Sequence, residues 1–152
     1  MKVEGDFIMT EDLNIEEDLI VKGNIYGKNG ARFNIDAWDI TAENINAGNI
    51  NAGNINAKNI AARDITAFDI NAKNINAWDI TAGSIDAGNI TALDIDAWDI
   101  NALDINARDI NYFAVCFAYK NINCKSIKGR RENCKHFVLD GEITIKQRRK
   151  KN

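Results

Sequence analysis

The chain has 152 residues, no proline, one histidine, 45% apolar and 27% charged residues, and a formal net charge of −3. That length fits one domain, and a lone His136 excludes catalysis built on a histidine network. The longest apolar run, Tyr112 to Tyr119, has eight residues, against the roughly 20 that span a bilayer. The acidic N-terminal segment also lacks the basic-then-apolar order of a secretion signal. The expectation is a cytoplasmic protein without membrane contact.

Residues 1–34 carry apolar pairs separated by one residue, Leu13/Ile15 and Leu19/Val21, followed by Ile25, at a spacing near six, with Gly23, Gly27 and Gly30 between them. This pattern predicts an N-terminal β cap that shields the first coil of a repetitive structure from edge pairing.

The repeat occupies residues 35–111. Every fifth residue from Ile35 to Ile110 is isoleucine, 16 in succession, and every fifth from Ala37 to Ala107 is alanine, 15 in succession. Asn or Asp precedes each Ile except at Ser84. A period of five builds no apolar stripe on a helix and alternates faces on a flat strand. It does suit a chain that turns a corner every five residues, with Ile and Ala both pointing inward. Asn and Asp fit the corners because they tolerate unusual backbone angles and bond locally. Stacked coils then lie at the strand spacing of about 4.8 Å, and the missing prolines leave the backbone donors free to join them.

Units such as IDAWD, INAGN and ITALD resemble those of pentapeptide-repeat proteins, over roughly residues 35–129. The resemblance implies an all-β, right-handed quadrilateral parallel β-helix with four pentads, about 20 residues, per coil. It also implies a bacterial or phage setting and, as in some members, mimicry of DNA toward topoisomerases. In the usual unit the small residue precedes the large one by two; here it follows, as in Ile-Asn-Ala.

Residues 112–145 lose the strict pentad. Counting in fives puts Val115 and Phe117 in the Ile and Ala slots, and a two-residue insertion near Tyr119-Lys120 brings in Ile122/Cys124 and then Ile127/Gly129. Phe137 to Leu139, Asp140-Gly141 and Glu142 to Ile145 predict a hairpin or a closing coil, a hairpin-like C-terminal cap. Residues 146–152 are expected to form a solvated basic tail.

Charge divides along the chain. Residues 35–111 hold 12 acidic and 4 basic side chains, whereas 112–152 hold 3 acidic and 11 basic ones. Four coils of twenty would be about 19 Å long, so the acids would fall at about one per 1.6 Å, near the 1.7 Å of duplex DNA. Coils of twenty would gather Trp38, Trp78 and Trp98 on one face with Lys58 and with Asp36, Asp39, Asp79, Asp96 and Asp99. That face reads as a protein-binding surface or as an aromatic ladder with Lys58 on Trp78. Leu93, Leu103, Phe113, Phe117 and Tyr119 suggest a homodimer contact or a buried cap. Lys125, Lys128, Arg130 and Arg131 suggest nonspecific nucleic-acid contact.

Cys116, Cys124, Cys134 and His136 are of zinc-ligand type, but their spacing fits no common zinc pattern, and three cysteines without a secretion signal read as reduced thiols. No phosphate-binding motif is present, and the Asp residues repeat in equivalent surroundings. The expectation is a protein that is not an enzyme, with no metal, cofactor or small-molecule substrate. Three functions remain: an acidic DNA mimic that occupies the nucleic-acid site of a DNA-handling enzyme, a structural, self-associating solenoid, and weak nonspecific nucleic-acid binding through the basic C-terminal segment.

Overall fold

The computed structural model describes residues 1–76 and 79–146. The chain winds into a parallel β-solenoid of about eight turns, and no α-helix occurs among the described residues. The first coil holds β1 (Lys2–Val3), β2 (Phe7–Met9) and β3 (Leu13–Asn14); the second holds β4 (Leu19–Val21), β5 (Ile25–Gly27) and β6 (Ile35–Asp36). The pentads form the long strands β7 (Ile40–Asn46), β8 (Asn49–Ala61), β9 (Asp64–Asn76) and β10 (Asp79–Cys124), which bend at the corners without losing their pairing. The last coil comprises β11 (Ser126–Gly129), β12 (Lys135–Val138) and β13 (Ile143–Ile145).

Register fixes the cross-section. Ile40 pairs with Ile55, Ile55 with Ile70 and Ile70 with Ile85, all in parallel and fifteen residues apart. A coil therefore contains three pentads and has three sides. The expectation of four sides and about 20 residues per coil is not met. Packing supplies the reason: Ile is branched at Cβ and reaches only a short way inward, so three opposed Ile close a triangular interior to protein density, whereas four sides would leave a void at the axis. The inward columns are dry. The isoleucines from Ile35 to Ile110 are at most 2% exposed, and among the described residues no polar or charged one is buried. Each buried Ile contributes about 1.5–3 kcal/mol.

Residues 1–34 form two coils in the same stack. β1 pairs with β4, β2 with β5 and β3 with β6, all parallel, at offsets from 18 residues (Lys2 to Ile20) to 22 (Leu13 to Ile35). The extra length sits at corners. At Lys28–Gly30 the chain makes a 3₁₀ turn in which Asn29 and Gly30 have φ of 57° and 76°. Gly27 makes that corner possible, because a Cβ there would lie 2.0 Å from the Ala31 carbonyl oxygen.

The C-terminal end decides two sequence expectations. Cys116 and Ala118 are the inward residues, fully buried, while Val115 is exposed and Phe117 only half-buried. Ile110 to Cys116 and Cys116 to Ile122 are each steps of six, so two single-residue insertions replace the one double insertion expected near Tyr119-Lys120. The cause is volume: Tyr112 is buried in what had been an Ala column, and its ring leaves room only for the small pair Cys116/Ala118 beside it. Second, of the two expected alternatives residues 137–145 take the closing coil and not the hairpin. β12 and β13 both pair parallel to β10, Phe117 with Phe137 and Ile122 with Ile143. Asp140-Gly141 turns a corner, with the Asp140 N–H donating to the Tyr119 carbonyl at 2.9 Å.

Candidate functional site

Three corners run the length of the solenoid, and each is lined by stacked Asn and Asp side chains. On the first, amides form a continuous ladder: Asn44 Nδ2 donates to Asn24 Oδ1 at 2.6 Å, Asn59 to Asn44 at 2.5 Å, Asn74 to Asn59 at 2.7 Å and Asn89 to Asn74 at 2.8 Å. On the second, Asp39 Oδ1 accepts the Asn54 backbone N–H at 2.8 Å, and Asp99 Oδ1 accepts that of Val115 at 3.2 Å. On the third, Asp12 and Asn34 accept the backbone N–H groups of Asn34 and Asn49 in the same way. These Asx residues are thus caps that tie one coil to the next.

The triangular register splits the tryptophan face. Sixty residues make three coils of twenty but also four of fifteen, so Trp38 and Trp98 share a column, as do Asp36 with Asp96 and Asp39 with Asp99. Position 78 does not join them: Asp79 pairs with Asp64, on the third corner. Trp78 itself, and the side chains of Asp79, Leu93 and Trp98, lie outside the described residues. Trp38 is 63% exposed at its corner, and above it the Gly53 N–H donates to its carbonyl. Lys58 is on neither tryptophan column; its Nζ pairs with Glu43 on the coil below. Asp36 is exposed, but Asp96 pairs with Arg130, and Asp39 and Asp99 are occupied as corner caps.

With fifteen residues per coil, the regular section has about five coils and is about 24 Å long. Its acids then fall at about one per 2 Å, sparser than the 1.7 Å of DNA. The register does place one acid row that counting by twenty concealed. Asp64 and Asp79 are paired, and Asp94 and Asp109 follow at the same interval through the unbroken pentads of β10.

Ile8, Ile20 and Trp38 are exposed toward the N-terminal end, and a group of exposed apolar side chains lies on the last coils. Val115, Phe117 and Tyr119 alternate outward along β10. Phe137 stands over Phe117, their ring centroids 5.1 Å apart, and Tyr119 meets Phe117 edge-on at 6.1 Å. Leu139 follows beside Tyr119, its N–H donating to the Ala118 carbonyl at 3.2 Å. The bond from Val115 to Asp99 sets an offset of sixteen that puts Leu103 below Tyr119. Tyr119, Phe137 and Leu139 are each about half exposed or more.

Of the residues expected to self-associate, Leu103, Phe117 and Tyr119 belong to this patch. Phe113 does not: the Arg131 guanidinium lies 4.9 Å above its ring, and Leu93 falls on the Arg63 and Arg108 column. Counting in fives hid Val115 by assigning it inward, and Phe137 and Leu139 were read as cap. The two steps of six were the available signal. Among the basic residues, Lys125 and Lys128 are exposed, Arg130 is paired, and the tail from residue 147 lies outside the described residues.

Burial, with Cys124 nearby, pushes the Cys116 thiol up to about 12; burial, then Asp109, raises that of Cys124. Cys134 Sγ donates to the Phe113 carbonyl at 3.2 Å. Among the described residues no three His, Cys, Asp or Glu side chains converge as a metal centre requires, and no helix is long and apolar enough to cross a membrane. An open groove of about 540 Å³ lies along the amide ladder, where Ala61 sits between Asn46 and Asn76 and Tyr26 closes one end. No family model, curated protein or solved structure matches the chain.

Proposed function

We propose that this chain is a noncatalytic, self-associating structural solenoid, a three-pentad variant of the pentapeptide-repeat pattern it resembles, wound right-handed as parallel crossovers are. The contiguous patch of Leu103, Val115, Phe117, Tyr119, Phe137 and Leu139 carries this reading. Exposed apolar groups on one flat β surface mark a contact site, and two aromatic pairs supply rigid anchors of the kind found at interface centres. The occupant is a second copy laid patch to patch about a two-fold axis. Sedimentation velocity tests it. In molar salt the wild type should sediment as a dimer, and Phe137→Ser/Leu139→Ser as a folded monomer. A wild type that stays monomeric at high concentration overturns the reading.

A second reading, DNA mimicry toward a DNA-handling enzyme, rests on the register row of Asp64, Asp79, Asp94 and Asp109, the last of which pairs with Arg108 and accepts from the Ser126 hydroxyl. Four aspartates at backbone positions about 4.8 Å apart compare with phosphates every 3.4 Å along one DNA strand. Under this reading a partner enzyme retained on the immobilised protein is released by duplex DNA and is not retained by Asp64→Asn/Asp94→Asn. Retention that ignores both the DNA and the substitution removes the mimic.

A further inference from the structure

The two ends of the solenoid are complementary, and the geometry points to head-to-tail stacking of copies by β-pairing of the first coil of one onto the last coil of another. This contact is separate from the lateral patch and rests on different residues.

Both rims are open. Among the described residues β1, β2 and β3 each pair on one side only, with β4, β5 and β6, and β11, β12 and β13 each pair only with β10. Unpaired parallel edges present rows of N–H and C=O groups that template a further strand. Both rims also expose the interior column in cross-section. Met1, Val3, Phe7, Leu13 and Ile15 are only partly buried at one end, and Ile127, Cys134, Val138 and Ile143 at the other. A second coil laid over either end would finish their burial.

The rims match in size. The regular coils take fifteen residues, but the N-terminal offsets run from 18 to 22 and the C-terminal ones from 17 (Asp109 to Ser126) to 21 (Ile122 to Ile143). Both end coils thus carry extra residues at their corners. A helical rim climbs one coil spacing per turn, so its strands form a step. Laying β1 on β11, β2 on β12 and β3 on β13 keeps both steps in chain order and continues the winding with no gap.

Charge sets the polarity. Residues 1–18 hold seven acidic side chains and one lysine, whereas residues 119–146 hold seven basic and three acidic ones. Glu11 and Glu16 are exposed at one rim, and Lys128 and Lys135 at the other. An acidic rim meets a basic rim, while contacts between like ends are repelled. Such a heterologous contact does not close on itself and yields a filament.

The test uses the full chain in low salt, by electron microscopy and pelleting. Wild type should form filaments with an axial repeat of roughly 40 Å, the height of about eight coils, and lose them in molar salt. Glu11→Lys/Glu16→Lys lowers the net charge of residues 1–18 from −6 to −2, and Lys128→Glu/Lys135→Glu lowers that of residues 119–146 from +4 to 0, so each alone should weaken filament formation. Mixing the two variants should restore it. A wild type that forms no filaments, or a mixture that restores none, overturns the inference. Phe137→Ser/Leu139→Ser should still form single, unpaired filaments, so failure of the lateral dimer and failure of the stacking are read separately.

Discussion

The phenol of Tyr112 and the imidazole of His136 meet at 3.0 Å between the hydroxyl and Nδ1, with their rings edge-on at 6.0 Å and 85°. The two residues lie 24 positions apart, Tyr112 buried in the last regular inward column and His136 on the final coil. This bond joins the pentad stack to its C-terminal coil. His136→Ala leaves the phenol of Tyr112 without that partner, a loss of about 1–3 kcal/mol. Tyr112→Phe/His136→Ala should cost less than the sum of the two single changes. Urea unfolding of the three variants checks this.

Gly129 stands beside Tyr112 on the next coil, and a Cβ there would lie 2.1 Å from the Cβ of Cys134 and 3.1 Å from the Tyr112 hydroxyl. Gly129→Ala should therefore destabilise by about 1–3 kcal/mol through overpacking. Hydrogen exchange should show the loss at residues 126–145, with the pentad coils retaining their protection.

Alkaline pH should weaken the fold. The unfolded Cys116 thiol ionises from its ordinary value of 9.0, while the native thiol holds its proton up to about 12. Between those values the unfolded chain binds fewer protons, so stability falls as pH rises, by up to about 1.4 kcal/mol per pH unit. Tyr112, raised by burial and then by Cys134 and Cys116, acts in the same direction. Cys116→Val should flatten the slope in unfolding curves taken across this window.

Coil size is open to direct cross-linking. Thr41 and Asn56 are paired neighbours fifteen residues apart, within the Cα separation that a disulfide bridges, about 4.4–6.8 Å. Thr41→Cys/Asn56→Cys should oxidise to an intramolecular disulfide. Thr41→Cys/Ala61→Cys, the pair that coils of twenty would join, should stay reduced, as shown by mass spectrometry of digested protein.

The amide ladder should behave as one unit. Asn59 donates to Asn44 and accepts from Asn74, so Asn59→Ala should cost about 1–3 kcal/mol. Asn59→Asp should cost more at neutral pH, because its carboxylate would face the Asn44 oxygen, and should recover as the pH falls and the carboxyl regains a proton. Thermal melts at two pH values check both.

The sequence by itself determined the kind of fold and its inside. Ile at every fifth position, with Ala two later, admits only a chain that turns a corner each pentad, and those residues form the buried columns from Ile35 to Ala102. Asn and Asp before each Ile were legible as corner residues for the same local reason. The tertiary structure alone decided how many corners close a coil. Every pentad carries the same inward pair, so nothing local distinguishes three sides from four, and the choice rests on how far three or four Ile side chains reach across one interior. Which residues share a face depends on that number, so Trp38 and Trp98 share a column while Asp79 lies on the corner of Asp64. The tertiary structure likewise set the frame at Cys116, where the volume of Tyr112 shifts the chain by one residue. That shift turns Val115 and Phe117 outward, and with Phe137 and Leu139 they make the apolar patch.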